Sequence, residues 1–134
     1  MCIIIDTCMA GDYIHKKKQL APIVRYLEGG GKVIIDADLY GEYPTKFRNL
    51  IVELSRVGRI VRLNPPPLPR SVSTLLVSND VHVVRLVRAA KSRVVCTRDD
   101  NLIKDLKNGS IVNAPRCKVY KHDGAKRVLD GCCP

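Results

Sequence analysis

The chain has 134 residues, 46% of them hydrophobic, which suffices for one packed domain and excludes a disordered basic tail. Its 23 Lys and Arg against 13 Asp and Glu leave a formal charge of +10 and point to a polyanionic partner, most simply nucleic acid. Five Tyr, one Phe and no Trp are too few rings for an aromatic platform that stacks single strands.

The chain opens Met1-Cys2-Ile3-Ile4-Ile5-Asp6, and residues 2–5 form an apolar, mostly β-branched run suited to a strand buried on both faces. Pro22 followed by Ile23, Val24 and Leu27 predicts a short helix, stopped by Gly29-Gly30-Gly31. Residues 32–36 (KVIID) are a second buried strand. From Pro44 onward, Phe47, Leu50, Ile51 and Leu54 recur at i, i+3, i+4, i+7, the signature of a helix with one apolar face, and Gly58 ends it. Residues 59–63 follow as a third strand. Pro65-Pro66-Pro67-Leu68-Pro69 can be neither helix nor inner strand and reads as a stiff surface connection.

Ser78-Asn79-Asp80 then offers three good N-cap residues before a helix marked by Val83, Leu86, Val87 and Ala90. Residues 92–97 (SRVVCT) are a fourth strand, and residues 102–106 a short helix. Small strands are expected at residues 111–112 and 118–120. Strands alternating with helices imply a mainly parallel sheet with helices on both faces, a three-layer α/β/α sandwich. Such sheets present ligands beyond the carboxyl ends of their strands.

Six cysteines would suggest three disulfides in a secreted domain. The opening has no basic n-region, however, and its apolar run is broken at once by Asp6, so cytoplasmic residence with reduced thiols is expected. No stretch approaches the roughly 20 apolar residues of a membrane span. Cys2 and Cys96 lie in apolar runs and read as buried small hydrophobes. Cys117, His122, Cys132 and Cys133 lack the paired spacing of a zinc site, and Cys132-Cys133-Pro134 fits no lipidation signal.

The sheet geometry gives the acid positions meaning. Asp6 ends the first strand, Asp36 the second with Asp38 and Glu42 just beyond, Asp80 opens a helix, and Asp99 with Asp100 follows the fourth strand. Taken singly, each acid also reads as a helix cap, a turn cap or a solvated side chain. Gathered at one edge of a chain this basic, they repel one another unless a hard divalent ion such as Mg²⁺ or Mn²⁺ neutralises them.

This arrangement resembles the PIN-domain nucleases over most of the chain. The resemblance rests on Asp6-Thr7 after the first strand, Ser78-Asn79-Asp80-Val81-His82 before a helix, and Val94-Val95-Cys96-Thr97-Arg98-Asp99 with its T-x-D ending. The segments Asn101-Leu102-Ile103-Lys104-Asp105-Leu106-Lys107-Asn108 and Pro115-Arg116-Cys117-Lys118-Val119-Tyr120 look like the closing segments of a bacterial and archaeal branch. The resemblance implies one PIN-like domain over residues 1–120 and a basic tail over 121–134. It implies metal ligation of one or two Mg²⁺ or Mn²⁺ ions by Asp6, Glu42, Asp80 and Asp99, supported by the Thr97 hydroxyl. Glu53, Asp36 and Asp38 stand as alternatives for the central acid; Glu42 is preferred because Glu53, directly before Leu54, is expected to face solvent. The implied activity is hydrolysis of RNA, with DNA as an alternative substrate, by metal-activated water. Family usage further implies a toxin-type ribonuclease with an antitoxin or inhibitor protein, and a homodimer.

An acidic pocket needs a basic rim to admit a phosphate backbone, and Lys16, Lys17, Lys18, Arg85, Arg88 and Arg98 are the foremost candidates, with further Lys and Arg in the tail. His15 and His122 lack obvious partners, and His82 reads as a hydrogen-bonding neighbour of the site. Two rival readings stand beside the nuclease. A phosphatase of the haloacid dehalogenase type would use Asp36 and Asp38 of the Val33-Ile34-Ile35-Asp36-Ala37-Asp38 run, with Ser78, Lys91 and Asp99-Asp100 in its later motifs. A non-catalytic RNA-binding protein would keep the fold and a degenerate site.

Overall fold

The structure is a computed structural model and describes residues 2–90, 94–113 and 116–121. Five three-residue strands, β1 (Ile3–Ile5), β2 (Val33–Ile35), β3 (Ile60–Arg62), β4 (Val94–Cys96) and β5 (Lys118–Tyr120), form one sheet in the order β3-β2-β1-β4-β5. Every pairing is parallel, with Ile3 opposite Val33 on one side and Val94 on the other. The continuous Ile and Val runs explain this. Both faces of β1, β2 and β4 are buried, and only a parallel sheet covered by helices on both sides can satisfy that.

The first crossover holds α1 (Thr7–Ile14) and α2 (Ala21–Glu28); the second holds α3 (Ala37–Glu42) and α4 (Thr45–Arg56). Both run outward from β1, so right-handed connections put these helices on one face, where α1 packs against α4. The chain then returns past β1 through α5 (Arg70–Ser73) and α6 (Val81–Ala89) to β4, and reaches β5 through α7 (Asp100–Lys107). The same handedness assigns that return to the opposite face, completing the α/β/α sandwich expected from the alternation of strands and helices.

The helices follow local chemistry. Pro22 sits in the first turn of α2, where its missing N–H costs nothing. Phe47, Ile51 and Leu54 form the buried stripe of α4, and Gly58, at φ +74°, turns the chain away from it. Tyr43 and Tyr13 both meet the Phe47 ring edge-on, with centroids 4.7 and 5.6 Å away. Between α2 and β2 the Tyr26 hydroxyl brackets one residue: it donates to the Lys32 carbonyl at 2.8 Å and accepts from the Lys32 N–H at 3.1 Å. The ring packs directly against Gly31, where an added Cβ would come within 2.2 Å of it. Gly31→Ala is therefore expected to displace Tyr26 and cost about 1–3 kcal/mol, read as a lower urea midpoint with unchanged slope.

Several elements differ from the sequence reading. Residues 7–14 and 37–42 are helical and 70–73 make a short helix, none of which apolar periodicity marked. Residues 111–112 are not a strand. Ile111 and Val112 are buried, but they close a turn that begins at Asn108, whose carbonyl accepts from both of their N–H groups at 2.9 Å. Cys2 and Cys8 are only partly buried, whereas Cys96 and Cys117 are buried. Within the Pro-rich connection Pro65 is buried and its neighbours are exposed. Lys91, His122, Cys132, Cys133 and nearly all of the segment read as a basic tail lie outside the described residues. Among the described residues, no helix is long and apolar enough to cross a membrane.

Candidate functional site

The strand order places one crevice above the others. From β1 the chain first moves outward to β2 and β3, then jumps back to β4 and β5, so the topological switch point lies between β1 and β4. Connections leave these two strands in opposite directions and open a gap beyond their carboxyl ends. Asp6 follows β1 directly. Thr97 and Asp99 follow β4.

Thr97 is fully buried and its hydroxyl links the two strand ends. It donates to Asp6 Oδ2 at 2.7 Å and accepts from the Asp99 N–H at 3.1 Å. Asp6, 5% exposed, also caps α1 by accepting from the Thr7 N–H at 2.8 Å, and receives a longer contact from the Cys8 thiol at 3.4 Å. Burial pushes that thiol's pKa up, with the Asp6 charge adding to it, so Cys8 stays protonated and acts as a weak donor. Asp99 caps α7 through Oδ1, which accepts from the N–H groups of Asn101 and Leu102 at 3.0 and 3.3 Å. Asp6 and Asp99 are thus helix caps that also line the crevice.

Asp80 behaves differently. It occupies the N-cap position of α6 yet makes no side-chain capping hydrogen bond. Its carboxyl instead shares a hydrogen bond with Asp99 and feels the negative charge of Asp6. Burial, Asp6 and Asp99 together push its pKa up to about 6, against an opposing pull from His82. A capping role would hold an ionised carboxylate against two backbone N–H groups; here the group gives up a cap to sit among like charges.

Asp105 on α7 fixes that arrangement from behind. It is 1% exposed and accepts from the N–H groups of Val77 and Ser78 at 2.9 and 3.0 Å and from the Ser78 hydroxyl at 2.6 Å. The same Ser78 oxygen accepts a long contact, 3.4 Å, from the Asp80 N–H. An amide has one acceptor oxygen for these donors and presents an N–H₂ to the others. Asp105→Asn is expected to cost about 1–3 kcal/mol in chemical denaturation, through the donors it leaves unsatisfied.

Glu42 stands across the crevice, half exposed, at the end of α3. The Thr7 hydroxyl donates to its Oε2 at 3.4 Å, and His82 Nε2 approaches the same oxygen to 2.8 Å. The imidazole N–H does not point along that line, so the His82–Glu42 contact is an electrostatic one rather than an aligned hydrogen bond. Tyr43, the next residue, is buried and donates its hydroxyl to the Ile5 carbonyl at 2.5 Å, which ties the end of α3 to the end of β1. Burial, reinforced by Asp6, Cys96 and Asp36, keeps that phenol protonated far beyond its ordinary range.

The alternative central acids go elsewhere. Glu53 lies on the outer face of α4, paired with Arg56 at 2.9 Å. Asp36 is 6% exposed and caps α3 by accepting from the Leu39 N–H at 2.8 Å. Asp38 is exposed and meets Arg85 at 3.5 Å, so Asp36 and Asp38 face different partners. Among the described residues, no three His, Cys, Asp or Glu side chains form a ready-made metal-binding group.

The basic candidates divide by partner. Arg98 and Lys17 both reach the buried Asp12, at 2.9 and 3.3 Å. Burial disfavours the Asp12 carboxylate, but these two cations outweigh it and hold its pKa below the ordinary range. Asp12 therefore contributes stability at neutral pH that is lost on acidification below the usual carboxylate range. Arg85 donates to the carbonyls of Pro65 and Pro66, and Arg88 to that of Ile111, so both anchor loops. Lys16 and Lys18 are exposed in the turn after α1.

Sequence reasoning missed Asp12, Tyr43 and Asp105 as supporting residues. Asp12 and Asp105 are acids near apolar helix positions, a pattern that marks a buried carboxylate with fixed partners. Comparison with known proteins returned no match among family models, curated proteins or solved structures.

Proposed function

We propose that the protein is a Mg²⁺- or Mn²⁺-dependent endonuclease of PIN-like type, acting on RNA, with its site between the carboxyl ends of β1 and β4. The observation that carries this reading is Asp80, an uncapped carboxyl whose pKa is raised by burial, Asp6 and Asp99. A negative charge placed at such a cost is what a cation removes. The donor set suits a hard ion: Asp6, Asp80, Asp99 and Glu42 offer carboxylate oxygens, and the neighbouring thiol of Cys8 stays protonated.

In this reading those four acids hold one or two ions. The bound metal supplies charge neutralisation at the phosphate and eases deprotonation of water. The chain's own groups do the rest. Thr97 fixes the distance between Asp6 and the Asp99 backbone. His82 and Thr7 restrain Glu42, and Tyr43 fixes the backbone beside it. Arg98, beside Asp99 and held by Asp12, places positive charge at the rim, and Lys16, Lys17 and Lys18 extend it; these draw a phosphate backbone toward an acidic centre. Arg85 and Arg88 act as loop anchors in this scheme. RNA as the substrate in place of DNA, an inhibitor partner, a toxin-type role and a homodimer are carried by the resemblance to the PIN nucleases alone.

The divergent partners of Asp36 and Asp38 favour this reading over the phosphatase. Wild type and Asp36→Asn, assayed with Mn²⁺ on end-labelled RNA and on a small phosphate ester, separate the readings. RNA cleavage retained in Asp36→Asn is the expected result, because Asn caps α3 as well as Asp does. Ester hydrolysis that vanishes with Asp36→Asn would assign the phosphatase. RNA bound but uncut by wild type would assign a non-catalytic binding protein.

A further inference from the structure

A second concavity, of about 720 Å³, lies between the end of α1, the 3₁₀ turn Lys18–Leu20, α2 and the start of α4, and none of the four site carboxylates lines it. Its volume is that of a small-molecule site. The floor is apolar, built from Tyr13, Leu20 and Val24 among others, while Lys16, Lys18, Arg25 and Lys46 supply cations from separate elements. None of these four has a carboxylate partner among the described residues, whereas Lys17 beside them is paired with Asp12. Glu28 is the one acid in the lining.

A second observation falls on the same rim. Lys16, at φ +54°, is the only non-glycine residue with positive φ among the described residues. Glycine would hold that turn without strain, so a lysine there retains a side chain at a conformational cost. Such positions cluster at ligand clamps.

We propose that this groove binds a nucleoside triphosphate, with the base on the apolar floor and the phosphates among Lys16, Lys18, Arg25 and Lys46. Cations from separate elements around one concavity complement a compact cluster of negative charge better than an extended backbone, whose charges are strung out in a line. The apolar floor accounts for a planar body attached to that cluster, and Glu28 is placed to accept from a base amino group or a ribose hydroxyl. The groove shares Lys16 and Lys18 with the basic rim of the proposed nuclease but none of its four carboxylates, so ATP binding and metal-dependent cleavage are tested separately.

Isothermal titration with ATP, inorganic tripolyphosphate and adenosine, at fixed ionic strength with EDTA present, tests it. ATP is expected to bind saturably at one site, more tightly than either fragment. Lys46→Gln and Lys16→Gly should each weaken ATP by about tenfold, the loss of one charge-assisted contact. Lys16→Gly should also melt at the same or a higher temperature, since glycine relieves the left-handed turn, so its loss of binding is not a loss of folding. Absent saturable ATP binding, tripolyphosphate binding as tightly as ATP, or full affinity in Lys16→Gly would overturn the proposal.

Discussion

Asp80→Asn should melt about 4 °C above the wild type at pH 7.5 without metal, while metal-dependent RNA cleavage is lost. In the wild type the folded-state pKa of Asp80 lies at about 6, above its ordinary value of 3.8, because burial, Asp6 and Asp99 disfavour the charge. A group raised in this way contributes stability below its unfolded pKa and loses that contribution as pH rises through the folded value. Above pH 6 the ionised side chain therefore works against the fold. Asparagine removes the charge and still donates a hydrogen bond to Asp99. Asp80 is only partly buried, and solvent screening reduces the gain to about 1 kcal/mol, which sets the melting shift. A variant less stable than wild type at pH 7.5 would mean that Asp80 serves the fold. Mn²⁺ binding by the wild type should likewise weaken as pH drops below about 6, where a proton competes with the ion for Asp80.

Asp6→Asn should lower the rate of RNA cleavage by at least about a hundredfold, more than the usual loss on removing a residue that merely supports a metal ligand. The substitution removes a charge at the switch point and reverses one hydrogen bond. Asp6 Oδ2 accepts from Thr97, and an amide N–H₂ in its place would face the hydroxyl as a donor. The Thr97 oxygen would then accept from both the amide and the Asp99 N–H, while its own proton loses the carboxylate that now orients it. Thr97→Val tests the link between the two strand ends by itself: it keeps the shape and removes the hydroxyl, and should reduce cleavage and weaken Mn²⁺ binding by about 10- to 100-fold. Cleavage unchanged in Asp6→Asn would remove the site from this crevice.

The sheet was legible because its strands are short, β-branched and buried on both faces, so Ile3-Ile4-Ile5, Val33-Ile34-Ile35 and Val94-Val95-Cys96 stand out against polar neighbours. α4 and α6 were legible from apolar residues at helical spacing. The helices α1 and α3 were not. Asp6 and Asp36 cap them, but each contains a glycine, and their short spans give periodicity little to register. Ile111 and Val112 are as apolar as a strand, yet Asn108 draws them into a turn; burial alone does not distinguish the two.

The candidate site was partly legible for the same topological reason. In a parallel sheet the residue after each strand falls at one edge, and Asp6, Asp36 and Asp99 follow from that rule. The rule does not say which strand ends flank the crevice. Only the order β3-β2-β1-β4-β5 separates Asp6 and Asp99 from Asp36. The opposite fates of the N-cap acids were equally hidden: Asp36 is occupied by the Leu39 N–H, and Asp80 caps nothing. Arg85 and Arg88 read as a basic face because their carbonyl partners lie some 20 residues away in sequence.

The central claim is that the carboxylates between β1 and β4 take up a divalent ion. Thermal melting with increasing Mn²⁺ at pH 7.5 tests it without any substrate. With Mn²⁺ at about 100 times its Kd, the wild type should gain about 2.7 kcal/mol and its melting temperature should rise accordingly. The gain should shrink at pH 5.5 and be absent from Asp6→Asn and Asp80→Asn. A wild-type melting temperature indifferent to Mn²⁺, or one that rises equally in the two variants, would contradict the account.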